Sequence, residues 1–220
     1  MFAIFHKVTV GIAVAAMLLS SSCLDQKPES SIPPEQAMKR AEDAEQTLIG
    51  IYASLKSNAL FSGLLTLLPD IQADLVYAVE GYSNTYGNVW QWDIRSTTPE
   101  TESVYAALYQ TISRCNFYLD CIGGVMAAVT DDATLDTLDG FTGEVYCIRA
   151  LCYSKLIECF CKAYDPATAA SAPGVVLRTK YFTPEPIRRA TLADSYDLVL
   201  ADLHKAEELL SEEDDAASNV

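Results

Sequence analysis

The chain has 220 residues, with 15 Lys and Arg against 30 Asp and Glu, and a formal charge of −15 at pH 7. Half of it is hydrophobic and a fifth is charged, which excludes a disordered chain and allows one domain or two small ones. The acidic balance argues against a nucleic-acid partner, which needs clustered Lys and Arg, and two histidines leave little for His-based catalysis or a His-rich metal site.

Residues 1–22 read as an export signal. Lys7 supplies a short positive region, and Val8 to Leu19 is an apolar run too short for a hydrocarbon core, which needs ~20 helical residues. Ser20, Ser21 and Ser22 then precede Cys23. A Cys directly after small residues at the cleavage point marks a bacterial lipoprotein, so Cys23 is the expected lipidation site; otherwise the chain is an ordinary secreted protein and Cys23 is incidental. Several acyl chains on one Cys would anchor stably. Residues 23–34, with three prolines, read as an extended tether.

Residues 35–220 carry four predicted helices. The first follows Pro33-Pro34, with Ala37, Ala41, Ala44, Leu48, Ile51 and Leu55 on one stripe. The second runs from Pro99 to Ile122 and is expected to end at Gly123-Gly124. The third runs from Gly143 to Ala163, with Val145, Ile148, Cys152, Leu156 and Cys159 inward. The fourth runs from Thr191 to Leu210, with Leu192, Tyr196, Val199, Leu203, Ala206 and Leu210 on its stripe and Thr191 and Asp194 forming its cap. Strands are expected to be minor, Val89 to Ile94 being the best candidate. The expected class is all-α, a tetratricopeptide-like helical array, although the 34-residue period of those repeats is missing.

Residues 62–98 read as a loop region holding both tryptophans of the chain. Asp74, Tyr82, Asn84, Tyr86, Asn88, Trp90, Trp92 and Arg95 interleave aromatic faces, which stack on the C–H face of a sugar, with groups that hydrogen-bond hydroxyls. These are the candidate ligand-binding residues. The alternative is that Trp90 and Trp92 seal the helical core; their spacing in an extended segment suits both readings. The loop from Tyr164 to Pro186 is expected to cover an end of the bundle.

Six cysteines follow Cys23. Their even number permits a disulfide framework, but Cys115, Cys152 and Cys159 sit on predicted buried stripes, where a thiol acts as a small hydrophobe. The closest pair, Cys159 and Cys161, diverges on a helix, so neither a metal nor any other cofactor is expected. No G-x-S-x-G, phosphate loop or H-E-x-x-H motif occurs, and solvated helix faces account for the acids, so the chain is not read as an enzyme.

Four segments in order resemble the SusD/RagB family of nutrient-binding lipoproteins. They are LDQKPESSI after Cys23; the helix with Tyr105, Leu108, Tyr109, Ile112 and Asn116; the helix with Gly143, Glu144, Arg149 and Ala150; and the segment with Arg189, Thr191, Tyr196, Val199, Asp202, Leu203 and Ala206. Two departures are Tyr105, where the family carries Trp, and Cys152-Tyr153-Ser154, where it carries a more aromatic run. The resemblance implies a non-catalytic, lipid-anchored protein on the surface of the outer membrane. Such a protein binds oligosaccharide or another nutrient on irregular loops and delivers it to a TonB-dependent transporter. Family members are typically more than twice this length, so the chain is expected to be a truncated N-terminal helical domain. A helical protein–protein docking module, or a fragment that binds no ligand, is the rival reading.

Overall fold

A computed structural model describes residues 37–77, 79, 85–182 and 188–210; the expected export signal, Cys23 and the expected tether lie outside the described residues. The compact unit begins at Met38. Six helices and two short strands occur among the described residues: α1 Ala41–Leu55, α2 Leu64–Gln72, α3 Gly87–Trp90, α4 Pro99–Met126, α5 Asp132–Phe160, β1 Pro173–Val176, β2 Arg189–Thr191 and α6 Leu192–Leu209. The class is mostly helical, as the periodicity predicts. None of these helices is long and apolar enough to cross a membrane.

Helix α1 starts at Ala41, later than the expected entry after Pro34. Asp43 fixes that start: its carboxylate accepts from the Arg40 backbone N–H and the Arg40 guanidinium, each at 3.0 Å. An acceptor in the first turn satisfies an orphan donor of the helix end. Ala44, Leu48 and Ile51 of the predicted stripe are buried.

Helix α4 does not stop at Gly123-Gly124. It runs on to Met126, because Val125 beyond the glycines is 1 % exposed. Burying a valine contributes about 1.5 kcal/mol or more, comparable to what two helical glycines cost. Helix α5 begins eleven residues before the expected start. Asp131 caps it by accepting from the Thr134 backbone N–H at 2.8 Å, and Leu138 is fully buried in the added turns. It ends at Phe160, before the predicted Ala163. Residues 127–131 join α4 and α5, a connection short enough to return the chain as an αα-hairpin. Helix α6 packs along α5, α4 along the same helix, and α1 against both α4 and α5. The central core therefore lies around α5.

The start of α6 is as predicted. Thr191 Oγ1 accepts from the Asp194 backbone N–H at 3.0 Å, and the Asp194 carboxylate accepts in return from the Thr191 N–H. Its buried stripe is so in part, with Leu192, Val199 and Ala206 buried as expected. Leu192, Ser195, Val199, Asp202 and Ala206 face inward, whereas Leu203 and Leu210 of the predicted stripe are exposed.

The strand expected at Val89 to Ile94 is absent; the helical turn α3 and a following turn occupy that segment. The two strands of the structure lie elsewhere. β1 and β2 pair antiparallel, Pro173 opposite Thr191 and Val176 opposite Arg189, with an irregularity between. Gly174 is required there, because a Cβ would overlap the Ser195 hydroxyl and the Thr191 carbonyl. The sheet thereby clamps the segment after α5 onto the start of α6.

One buried constellation ties the three long helices together. Arg149 of α5 donates from Nε to Asp202 Oδ2 at 2.8 Å and from Nη2 to Asp202 Oδ1 at 2.6 Å, and its Nη1 donates to Asn116 Oδ1 of α4 at 2.8 Å. Both ends of the ion pair are almost fully buried. All three residues belong to the family-like segments, so those motifs are structural here. Glu144 is also structural: it accepts from Tyr52 of α1 at 2.5 Å.

Candidate functional site

Two concavities hold exposed aromatic side chains, and the first involves the region predicted to bind ligand. That region is not all loop. Its apolar residues at Leu64, Leu65, Leu68 and Ile71 follow helical spacing and form α2. Helix α2 closes with a left-handed residue, Asp74 at φ 57°. The Asp74 N–H donates to the Ile71 carbonyl and the Leu75 N–H to the Asp70 carbonyl, which is the paired closure of a Schellman turn.

The short helix α3 repeats this design. Tyr86 precedes it at φ 60°, and Trp92 follows it at φ 58°. Trp92 N–H donates to the Val89 carbonyl at 3.1 Å and Asp93 N–H to the Asn88 carbonyl at 2.9 Å, again the Schellman pairing. The position Trp92 fills is the one glycine normally takes, since a Cβ in left-handed backbone costs roughly 1–2 kcal/mol. Asp74, Tyr86 and Trp92 are the non-glycine residues with positive φ among those described, and all three belong to the predicted set.

The described members of the set do not line one concavity. Trp92 is 64 % exposed, while Trp90 is half-buried, so the same-side argument for an extended segment does not hold. Trp92 and Ile94 line a cleft of about 350 Å³ together with Leu68 and Gln72 of α2, Thr101 and Val104 of α4, and Glu158 and Phe160 of α5, among others. Trp92 is the member of the predicted set that lines it. Tyr86 packs against the core, and Asp74 and Asn88 are exposed. Arg95 is already engaged, its Nε and Nη2 donating to the two Asp93 oxygens at 3.0 and 3.2 Å. Tyr82 and Asn84 lie outside the described residues. Gln72, Ile94, Glu158 and Phe160 were missed in the sequence; α2 and the end of α5 bring them to Trp92 from distant positions, and only Ile94 sat near enough to be found.

The second concavity is larger, about 910 Å³, and runs between α4 and the chain that follows β1. Tyr105, Tyr109 and Tyr181 line it. Tyr105 stands 4.8 Å from Tyr109 between ring centroids and meets Phe160 edge-on at 5.1 Å. Tyr109 is locked: its hydroxyl donates to the Val176 carbonyl at 2.9 Å and accepts from the Val176 N–H at 3.0 Å. Tyr153 does the same at Arg178, both bonds at 2.7 Å. Burial pushes the Tyr153 phenol up to about 12 and the Tyr109 phenol further still, so both remain donors at neutral pH.

Cys115, Cys147, Cys152, Cys159 and Cys161 are free thiols. Cys115 and Cys152 are fully buried as predicted, whereas Cys159 is exposed, on the lining of the Trp92 cleft. Among the described residues no group of three or more His, Cys, Asp or Glu side chains is arranged to hold a metal ion.

The comparisons agree with this architecture. Residues 22–219 match a family of SusD-like proteins described as starch-binding and associating with the outer membrane, and the chain belongs to that family. A SusD-like protein of Formosa agariphila is 29 % identical over 142 residues, which cover 61 % of this chain and 26 % of that protein. A SusD superfamily protein from Bacteroides vulgatus superposes with a TM-score of 0.68 at 19 % identity, covering 80 % of this chain and 38 % of its own. A SusD homolog from Bacteroides thetaiotaomicron gives 0.65 at 19 % identity, covering 83 % and 33 %. The structural likenesses establish the fold. The chain spans well under half the length of each of these relatives.

Proposed function

We propose that this chain is a lipid-anchored, surface-exposed protein of the outer membrane that binds oligosaccharide and delivers it to a TonB-dependent transporter. Cys23 is the proposed lipidation site, residues 1–22 the signal removed before it, and residues 23–34 the tether to the helical domain. Binding without chemical conversion is the role, in keeping with a family described as starch-binding. The observation that carries the reading is Trp92. Its indole is held outward, on strained backbone, at the rim of a cleft whose other walls offer apolar surface together with Gln72 and Glu158. Strain in a ligand-facing loop is a signature of function, because folding alone would favour glycine there. An indole face covers the C–H face of a sugar, and the Gln72 amide and the Glu158 carboxylate, which also accepts from Lys155 at 2.7 Å, offer partners for its hydroxyls.

The test is Trp92→Gly. Stability should hold or rise by up to about 1 kcal/mol, because the left-handed strain is relieved. Affinity for maltohexaose should fall about tenfold or more, which is about 1.4 kcal/mol. Wild-type affinity in the variant would remove Trp92 from the site.

The docking-module reading has one observation in its favour. Leu75, Val76, Tyr77 and Val79 are consecutive or nearly so and all exposed, more apolar surface than one short segment usually leaves in water. Co-purification with a large β-barrel, without any saccharide binding, would select it.

A further inference from the structure

The groove between α4 and the chain after β1 lies on different residues from the Trp92 cleft, and its charge is unusual for so acidic a protein. Two cations line it, Arg178 and Lys180. Lys180 is neutralised: its Nζ donates to Asp120 Oδ1 at 2.7 Å, and the other Asp120 oxygen accepts from the Tyr181 N–H at 2.9 Å. Arg178 is not. Its guanidinium is exposed and has no hydrogen-bond or ion-pair partner among the described residues.

The backbone beneath that free guanidinium is the opposite of free. The Arg178 N–H donates to the Tyr153 hydroxyl, and the Arg178 carbonyl accepts from Tyr153 at 2.7 Å and from Asn116 Nδ2 at 2.9 Å. Asn116 is itself held by Arg149 in the buried constellation. Helices α4 and α5 therefore fix where Arg178 leaves the chain, while its five donors stay available. A planar fork on a fixed base is suited to a carboxylate, which it meets with two parallel N–H···O bonds. Along the same groove stand Tyr105, 39 % exposed, and Tyr181, 42 % exposed, beside Gln110 and Ser113. Exposed rings, polar side chains in the same groove and one unpaired cation together define the ligand chemistry.

We infer that this groove is a second saccharide subsite that takes a carboxylated sugar, with Arg178 pairing the uronate and Tyr105 stacking on the ring. The inference rests on the reading of the chain as a saccharide binder but not on the Trp92 cleft. The overall charge of −15 opposes acidic ligands only at range, since screening at physiological salt reduces it beyond about 8 Å.

Isothermal titration of the full chain with tetragalacturonate and with neutral maltotetraose tests this. Tetragalacturonate should bind, and Arg178→Gln should weaken it about five- to tenfold while leaving maltotetraose unchanged. The variant keeps every backbone bond at residue 178, so its fold is not at stake. Tyr105→Ala should weaken tetragalacturonate as well, and Trp92→Gly should not. Raising salt from 50 to 500 mM should erase most of the difference between native chain and Arg178→Gln. Absence of tetragalacturonate binding, or an Arg178→Gln variant that binds it as tightly as the native chain, overturns the inference. If maltotetraose binding dependent on Trp92 persists in that case, the cleft reading stands alone; if neither sugar binds, both readings fail. Tetraglutamate bound as tightly as tetragalacturonate would overturn the assignment of a saccharide.

Discussion

Replacing Asp202 by Asn is the sharpest probe of what holds the helical array together. The carboxylate is 3 % exposed and accepts two of the three hydrogen bonds of Arg149, which is itself 5 % exposed. Asparagine keeps the volume but offers one acceptor oxygen, and its amide N–H groups confront a guanidinium that cannot release its proton. The result is a buried cation without a counter-charge, a change that costs about 3–5 kcal/mol. A domain of this size has roughly 5–15 kcal/mol in all, so about a fifth or more of its stability is at risk. In thermal terms that is a fall of about 6–20 °C in Tm. Urea unfolding followed by far-UV circular dichroism measures it as a shift in midpoint at unchanged slope. The companion is Arg149→Met with Asp202→Leu, which removes both charges. Only the Asn116 carbonyl oxygen then loses a donor, a penalty of about 1–3 kcal/mol, so the double variant should be more stable than either single one. An Asp202→Asn cost below 1 kcal/mol would show that the pair is not the fastener described. Additive losses in the double variant would show that burial of the charge is not the cause.

Two further expectations concern the helices. Gly123→Ala places its Cβ in open space within continuous α4, so it should stabilise the chain by about 1 kcal/mol in the same urea titration; destabilisation would mean that α4 ends where the glycines suggest. Brief iodoacetamide labelling of the native chain, mapped by mass spectrometry, should modify the exposed Cys147 and Cys159 and spare Cys115 and Cys152. Burial pushes the Cys115 thiol up to about 12 and the Cys152 thiol higher, which removes the reactive thiolate; equal labelling of all four would contradict the packing of α4 against α5.

The helical stripes were legible because their apolar residues recur at helical spacing and nothing competes with that signal. Helix α4 shows this: Val104, Leu108, Ile112 and Cys115 are buried as the spacing demands. The first turns of α5 were harder, since Asp131, Asp132, Asp136 and Asp139 crowd the segment and only Leu138 in it is fully buried. Helix α6 misled for a different reason. An acid at position 202 reads as part of a solvated face, so the stripe was placed on Leu203, one residue round the helix. Only the guanidinium of Arg149, 53 residues away in the chain, makes burial of that acid favourable. The partner of Arg149 could not be named from spacing because the pairing is tertiary.

The candidate ligand region was legible in composition and not in geometry. Composition alone identified the stretch holding Trp90 and Trp92, but the assumption of extended backbone put both rings on one side. Backbone conformation decides which ring meets solvent, and here it is set by a four-residue helix that ends in a left-handed Trp92. The same logic separates the two concavities. In the cleft, strain is spent on presenting an aromatic ring. In the groove, α4 and α5 hold the backbone of Arg178 without strain and leave its side chain unpaired. The Asn116–Arg149–Asp202 constellation thus does more than fasten helices: through Asn116 it reaches the carbonyl of Arg178. Asp202→Asn should therefore weaken tetragalacturonate binding even at temperatures where the variant is fully folded, while maltohexaose binding at Trp92 stays unchanged. A variant that is folded and loses neither affinity would separate the fastener from the groove.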